Sequence, residues 1–315
     1  MTAVATPPGP PGDRGARHEP PGPPGDRVEA ARRAAEAAAS AAGVRVAELA
    51  SVAEAAAASA LFASIWGQAS AAAMPAELLR ALAHAGDYVA GAWHGGELAG
   101  AVVGFLGLHA GRLHLHSHVA GVRPGLQGRS VGLALKLHQR AWALERGIGE
   151  ARWTYDPLVR RNAYFNLTKL GATATAYHAD FYGSMDDAIN AGEPTDRCVA
   201  VWELASGRAA AAAAGPLPEV DERRLAAAGA AVLLAEGDDG QPLASPVPGG
   251  GGRVGVLLCQ VPDDIVGLRA ARPALARAWR LAVRDTLGRA LGRGWVATGA
   301  SRSGWCVLER EEDGP

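Results

Sequence analysis

The sequence predicts an α/β fold, because stretches that alternate apolar and polar residues are interleaved with stretches of helical periodicity. Two observations carry this prediction. Gly95 and Gly96 separate two stretches that are expected to be strands, which is typical of a β-hairpin. Further on, an alternating stretch at 112–122 runs through a glycine-rich loop into an amphipathic helix at 130–146. The length of 315 residues allows about two domains.

Residues 44–204 carry the densest pattern of short elements. Pro75 suits the first position of a helix, and Gly171 is expected to end one. The predicted helices are 49–66, 75–83, 130–146 and 161–170, and the predicted strands are 88–94, 97–108, 112–122, 151–155, 173–182 and 199–204.

The rest of the chain divides by composition. Residues 1–30 contain a Pro-Pro-Gly-Pro-Pro-Gly-Asp-Arg octapeptide twice and few side chains to bury, so we expect a disordered tail. Residues 205–218 are rich in alanine, glycine and proline and are expected to be a linker. Residues 219–310 predict a smaller α/β extension that supports the fold or a homodimer.

The composition argues against several classes of function. Lys and Arg number 31 and Asp and Glu 32, so no basic surplus points to nucleic acid. The 3 cysteines are far apart and fit neither a disulfide framework nor a zinc pattern. No strongly apolar stretch reaches the roughly 18 residues of a membrane span, and no signal peptide is evident, so we expect a cytoplasmic protein.

The most informative segment is the loop that follows the strand at 112–122. Its glycines, Gly125, Gly128 and Gly132, let backbone N–H groups approach an anion, and the next helix adds its unpaired N-terminal donors. Ser130 is placed to cap that helix. The loop therefore suits a diphosphate, although an ordinary glycine-rich turn would have the same composition. It lacks the Gly-Lys-Ser/Thr of a Walker loop and the Gly-x-Gly-x-x-Gly of a dinucleotide-binding fold.

The segment Gln127-Gly-Arg-Ser-Val-Gly132, placed between a strand and a helix, resembles the acyl-CoA diphosphate loop of the GNAT acyltransferase superfamily. The order of elements from 44 to 204 also resembles that fold, which implies a mixed central sheet flanked by helices. Three further segments resemble a bacterial branch of acetyltransferases: Leu115-His-Ser-His118, Trp153-Thr-Tyr-Asp-Pro-Leu158, and Asn162-Ala163 with Lys169-Leu-Gly171. Ser130 stands where the family pattern has its first glycine.

This resemblance implies that acetyl-CoA or another acyl-CoA, with succinyl-CoA as an option, is the co-substrate. Amides of the loop would hold the diphosphate, the end of the strand would bind the pantetheine arm, and Asn162 would face the cofactor. The implied cofactor-binding residues are Val119, Gly121, Val122, Gln127, Gly128, Arg129, Ser130, Val131, Gly132 and Asn162.

Acylation of an amine needs a base, and three alternating histidines precede the loop. His114, His116 and His118 share one face of the strand, and the latter two lie closest to the loop. A neutral imidazole there can accept the proton of the amine, although strand histidines are also common as packed core residues. A His-x-His zinc site with Asp156 as third ligand is the less favoured alternative, and we expect no metal.

Two more side chains are candidates for catalysis. Asp156 ends the strand at 151–155, where it would orient a histidine or hold the substrate ammonium, or instead cap the next helix. Leu167 stands where many members of the superfamily carry the tyrosine that protonates the thiolate. Tyr164, one turn earlier, would replace that tyrosine or serve only in packing.

Together these inferences predict an N-acyltransferase that uses acyl-CoA and acts on the amine of a small molecule, with an amino acid as one option. The transfer is expected to be direct, within a ternary complex. The alternative is a non-catalytic acyl-CoA-binding module that relays occupancy to a partner. Neither a nucleic acid nor a membrane is an expected partner.

Overall fold

The computed structural model describes residues 24–66, 74–183, 194–248 and 254–310. The helices are α1 (Pro24–Ala41), α2 (Val52–Trp66), α3 (Ala76–Ala85), α4 (Val131–Glu145), α5 (Arg160–Ala163, continued by a π-helical turn, Tyr164–Lys169), α6 (Gly207–Ala214), α7 (Glu222–Ala227), α8 (Ile265–Ala271) and α9 (Pro273–Val283, continued through Arg284–Gly288 to Arg289–Leu291). The strands are β1 (Arg45–Glu48), β2 (Tyr88–His94), β3 (Glu97–His109), β4 (Arg112–Val122), β5 (Glu150–Tyr155), β6 (Thr173–His178), β7 (Arg197–Glu203), β8 (Ala231–Glu236), β9 (Pro242–Ala244), β10 (Val256–Gln260), β11 (Trp295–Ala300) and β12 (Trp305–Arg310).

All the strands of the described residues belong to one mixed sheet, in the order β1-β2-β3-β4-β5-β7-β6-β11-β12-β10-β8-β9. β4 pairs with β5 and β8 pairs with β10 in parallel, and the other neighbours are antiparallel. The expected α/β fold with a mixed central sheet flanked by helices is thus confirmed. The residues after 218 extend this same sheet, through the pairing of Ala174 in β6 with Ala297 in β11.

The two faces of the sheet are covered by different helices. On the front face, which carries Val103 and His116, Phe62 of α2 and Leu79 of α3 pack into one buried cluster. On the back face, which carries Leu115, Ser117 and Trp153, α4 packs with α1 laid along it. Because side chains alternate along a strand, adjacent residues of β4 point toward these two different environments.

Helices replace the irregular structure that composition predicted at two places. α1 begins at Pro24, inside the first thirty residues, and its residues Ala31 and Ala35 are buried. The rest of the expected tail, 1–23, lies outside the described residues. The expected linker at 205–218 contains α6, which is capped by the Ser206 hydroxyl and buries Ala209 and Ala212. In both segments alanine provides high helix propensity and a small apolar surface for close packing.

Within the described ranges, the helices fall short of the length and apolar character that crossing a bilayer requires.

Candidate active site

The glycine-rich loop between β4 and α4 is exposed and has a left-handed backbone at three positions. Gly125 and Gly128 have φ of 86° and 81°, and Ser130 has φ of 62°. A side chain is disfavoured in this region, so glycine would suit the backbone at the position of Ser130. The Ser130 hydroxyl makes no capping hydrogen bond, contrary to our expectation, because the residue is left-handed rather than extended.

The start of α4 offers donors to an anion. The helix begins at Val131, and its first backbone hydrogen bond runs from the amide of Ala134 to the carbonyl of Ser130. The amides before Ala134 therefore have no partner inside the helix. Together with the dipole of a 15-residue helix, they make the loop a fitting place for a diphosphate.

β4 and β5 form a fork, which is paired at its closed end and open toward the loop. The two strands pair only at Leu115 with Ala151 and at His116 with Arg152. Beyond these pairs β4 continues to Val122 and β5 continues to Tyr155 without pairing to each other. The edge of β4 that faces the open fork thus keeps backbone groups available for a ligand that lies alongside it, as an added strand would.

A β-bulge lies on β4 beside the closed end of the fork. Val119 pairs with Val103 of β3, whereas Ser117 pairs with Gly104, so His118 is an extra residue on β4. Bulges of this kind redirect side chains and interrupt the hydrogen-bond ladder, and they are common beside active sites.

The predicted histidines share the front face, as their spacing required. His116 stacks on Phe105 with ring centroids 4.9 Å apart, and the His116 and His118 rings are 6.0 Å apart. Partial burial and the nearby histidines lower the pKa of His116 to about 4, and loss of solvation also lowers the pKa of His118. Both imidazoles are therefore neutral at pH 7 and able to accept a proton.

The expected cofactor-binding residues line the open side of the fork and its loop. Val119 and Gly121 pair with β3 on one edge of β4, which leaves the other edge toward the fork. A methyl group built on Gly132 would lie 3.8 Å from Val122 and 4.0 Å from Phe165, so α5 passes beside the start of α4. Asn162 is half-buried in the first turn of that helix, and Gln127 and Arg129 are exposed on the loop.

Asp156 corrects one of our expectations. Its carboxylate is buried and accepts two hydrogen bonds of 2.8 Å from Arg280 and one of 2.7 Å from Arg269, both on the C-terminal helices. It also accepts the amide of Leu158 at 3.0 Å, in the turn that follows β5. Asp156 thus holds the C-terminal helices and the β5 turn, rather than a histidine, a substrate ammonium or a metal.

Tyr164 also faces the C-terminal part of the chain. Its hydroxyl accepts a 3.2 Å hydrogen bond from Arg302, which lies in the turn between β11 and β12. Leu167 is fully buried in the core. The role of Tyr164 as the general acid stays a prediction. Among the described residues, no three His, Cys, Asp or Glu side chains are grouped so that they could hold a metal ion.

The sequence analysis missed a lysine at the closed end of the fork. Lys136 of α4 is only 4% exposed, and its Nζ donates to Ser117 Oγ at 2.9 Å and to Gln139 Oε1 at 2.7 Å. The same Nζ lies 3.8 Å from the ring centroid of Trp153. Burial lowers the pKa of Lys136 to about 7. The available signal was a lysine between Leu135 and Leu137 on an otherwise core-facing helix.

No protein-family model and no curated protein matches the chain. Among solved structures, the chain is similar to an acetyltransferase of the GNAT family from Streptococcus pneumoniae, with 14% identity and a TM-score of 0.41, over 50% of this chain and 97% of that one. It is also similar to the ribosomal-protein-S18-alanine N-acetyltransferase from Escherichia coli, with 12% identity and a TM-score of 0.42, over 52% of this chain and 96% of that one. A third is a Salmonella typhimurium protein solved with its cofactor acetyl-CoA, with 18% identity and a TM-score of 0.42, over 51% of this chain and 94% of that one.

Proposed function

We propose that this protein transfers an acyl group from acyl-CoA to the amine of a small molecule, with both substrates bound at once. The observation that carries the proposal is the fork between β4 and β5. Its open end leads to an exposed anion-binding loop, and its closed end lies beside two neutral histidines.

In this proposal the loop amides and the start of α4 bind the CoA diphosphate. The pantetheine arm then lies in the fork and pairs with the free edge of β4 along the segment from Val119 through Gly121 to Val122, whose other edge is paired with β3. Asn162, in the first turn of α5, faces the same cofactor across the fork. These contacts would bring the thioester to the closed end of the fork.

The chemistry follows from what lies at that end. The amine must lose a proton before it attacks, and neutral His116 or His118 on the front face accepts that proton directly or through water. The thioester oxygen gains negative charge, which backbone N–H groups beside the bulge at His118 can stabilise. Holding the amine and the thioester together in one geometry supplies much of the remaining acceleration.

The acyl donor and the acceptor belong to the same proposal. Acetyl-CoA is the first donor to examine, with succinyl-CoA next, and amino acids are included among the small amines. The alternative of a non-catalytic acyl-CoA-binding module gains support from Asp156 and Tyr164, since both bind arginines of the C-terminal part instead of facing the fork.

The test combines binding and turnover on the full chain. We expect calorimetry to detect coenzyme A binding, and we expect thiol release from acyl-CoA only when the right amine is added. Binding without thiol release across a broad panel of donors and amines would favour the binding module. The absence of heat with coenzyme A would overturn the proposal.

A further inference from the structure

Lys136 is buried in surroundings that hold a charged ammonium poorly. The chain contains two lysines, and this one lies beneath the sheet, where the partners of its Nζ in the described part of the chain are a hydroxyl, an amide oxygen and the faces of Trp153 and Trp202. A buried ammonium is costly unless it is paired with a carboxylate. A lysine that is held in this way can release a proton more readily than one at the surface.

The Lys136 side chain lies beside the closed end of the fork. His116 and Arg152 are the last residues that pair across β4 and β5, and Ser117 and Trp153 are the first beyond them. The Lys136 ammonium contacts both of these next residues, Ser117 by a hydrogen bond and Trp153 through its ring. The pair formed by Lys136 and Ser117 therefore lies on the back face of the point where the strands separate, opposite the histidines.

We propose that Ser117 and Lys136 deliver the proton that the CoA thiolate takes up as it leaves, an inference that rests on the proposed function. When the tetrahedral intermediate collapses, the oxyanion re-forms the carbonyl and the electron pair of the C–S bond passes to sulfur. Sulfur takes the hydroxyl proton of Ser117, and that hydroxyl takes a proton from Nζ of Lys136. The nitrogen of the former amine gives up its second proton to the histidine, which has by then released the first to solvent, and the product is a neutral amide. Lys136 is left as a neutral amine and regains one proton from solvent, so each turnover releases one proton in net.

The hydrogen-bond geometry suits this relay. Because the Ser117 oxygen accepts from Lys136, its own hydrogen is left to donate to another acceptor, which in this proposal is the leaving sulfur. In this arrangement Ser117 touches the leaving sulfur, and Lys136 acts through it as a positioning and proton-supplying residue. The pKa of Lys136, about 7, is close to the pH at which the enzyme would work, which is the range in which a general acid is most effective. The relay would also provide a general acid at a site where Leu167 has no proton to give.

The first test uses two single variants, Lys136→Met, which is close to isosteric, and Ser117→Ala, together with the double variant. We expect each to lower kcat by about 100-fold or more, the contribution typical of a positioned acid, with the KM for acyl-CoA little changed. In the parent protein kcat should decrease as pH rises through the pKa of Lys136. In Lys136→Met this decrease should be absent. The double variant should be no slower than the single ones, since both residues serve one transfer. Lys169→Met is the control, because it removes the chain's other lysine.

The second test needs neither turnover nor a folded variant at position 136. With lysine labelled at Cε, the full chain gives two lysine signals, and Lys169→Met identifies the one that belongs to Lys136. Coenzyme A should change the titration of the Lys136 signal, whereas desulfo-coenzyme A, which lacks the thiol, should leave that titration as it is in the free protein.

The outcomes separate this inference from the proposed function. Failure to bind coenzyme A, or to acylate any amine, would remove both. Acylation with an unchanged pH profile in Lys136→Met would overturn the relay alone. The relay would equally be excluded if coenzyme A and desulfo-coenzyme A had the same effect on the Lys136 titration.

Discussion

Asp156, directly after β5, and Arg280 of α9 form a bidentate ion pair. Each carboxylate oxygen lies 2.8 Å from a different guanidinium nitrogen, and both side chains are buried. Arg269 adds a third contact at 2.7 Å. The pair anchors the C-terminal helices to the strand that forms one arm of the fork, so the geometry of the fork depends on residues more than a hundred positions away.

We predict that Asp156→Asn strongly destabilises the protein. The substitution removes the buried carboxylate charge that Arg280 and Arg269 contact, and breaking a buried ion pair in this way costs about 3–5 kcal/mol in the free energy of unfolding. Urea unfolding measures this, with Asp285→Asn as the matched control, since Asp285 makes an exposed ion pair with Arg289 that contributes about 1 kcal/mol or less. Equal losses in the two variants would contradict the anchoring role.

The same ion pair predicts how the free energy of unfolding depends on pH. Burial favours the neutral form of Asp156, but the hydrogen bonds and charges of Arg280 and Arg269 outweigh it and lower the pKa of the carboxyl from 3.8 to about 2. A pKa depressed by folding contributes stability that is complete above the unfolded value and is lost as pH falls through the folded one. Unfolding free energies measured from pH 6 to pH 2 should therefore fall mainly below pH 4, and this component should be absent from Asp156→Asn.

Ser130→Gly should stabilise the protein while preserving the binding of coenzyme A. Removing the side chain from a left-handed residue at φ 62° stabilises the folded state by about 1–2 kcal/mol. The greater conformational freedom of glycine in the unfolded chain offsets roughly 0.5–1 kcal/mol of this gain. The loop amides remain in place, so calorimetry should find binding that is not weakened. Ser206→Gly is the control with the opposite sign, because Ser206 caps α6 and its loss costs a few tenths of a kcal/mol.

His116→Ala and His118→Ala test the assignment of the base. Removal of the histidine that accepts the proton should lower kcat by about 10²–10⁴-fold and leave the affinity for coenzyme A near that of the parent protein. If His116 is that base, its pKa of about 4 keeps it neutral down to mildly acidic pH, so kcat/KM should begin to fall only near pH 4. Retention of full turnover in both variants would exclude the two histidines.

Local patterns predicted the parts of the fold that depend on local interactions. The hairpin at Gly95 and Gly96, the strand that bears the histidines and the start of α4 occur where alternation and glycine spacing placed them. The four-residue β1 and the three-residue β9, at the two edges of the sheet, were not predicted, because short edge strands carry little periodicity of their own. α6 was missed because its alanines are buried by tertiary packing that composition does not reveal.

The candidate site was predictable only along single strands and loops. Spacing placed His116 and His118 on one face, because the period of a strand is fixed. The partners of Asp156 lie on helices whose position depends on the long-range pairing of β6 with β11, which no local pattern encodes. Lys136 was overlooked for the same reason, since its importance comes from Ser117 and Trp153, which lie on two different strands.

The continuity of the sheet means that this chain is not modular. A version that stopped at residue 204 would leave the outer edge of β6 without the strand that covers it. It would also leave two acidic side chains, Asp156 and Asp196, stripped of the guanidinium groups of Arg269, Arg280 and Arg284 that neutralise them. The half that bears the fork therefore depends on the C-terminal half for a covered sheet edge and for its counter-charges.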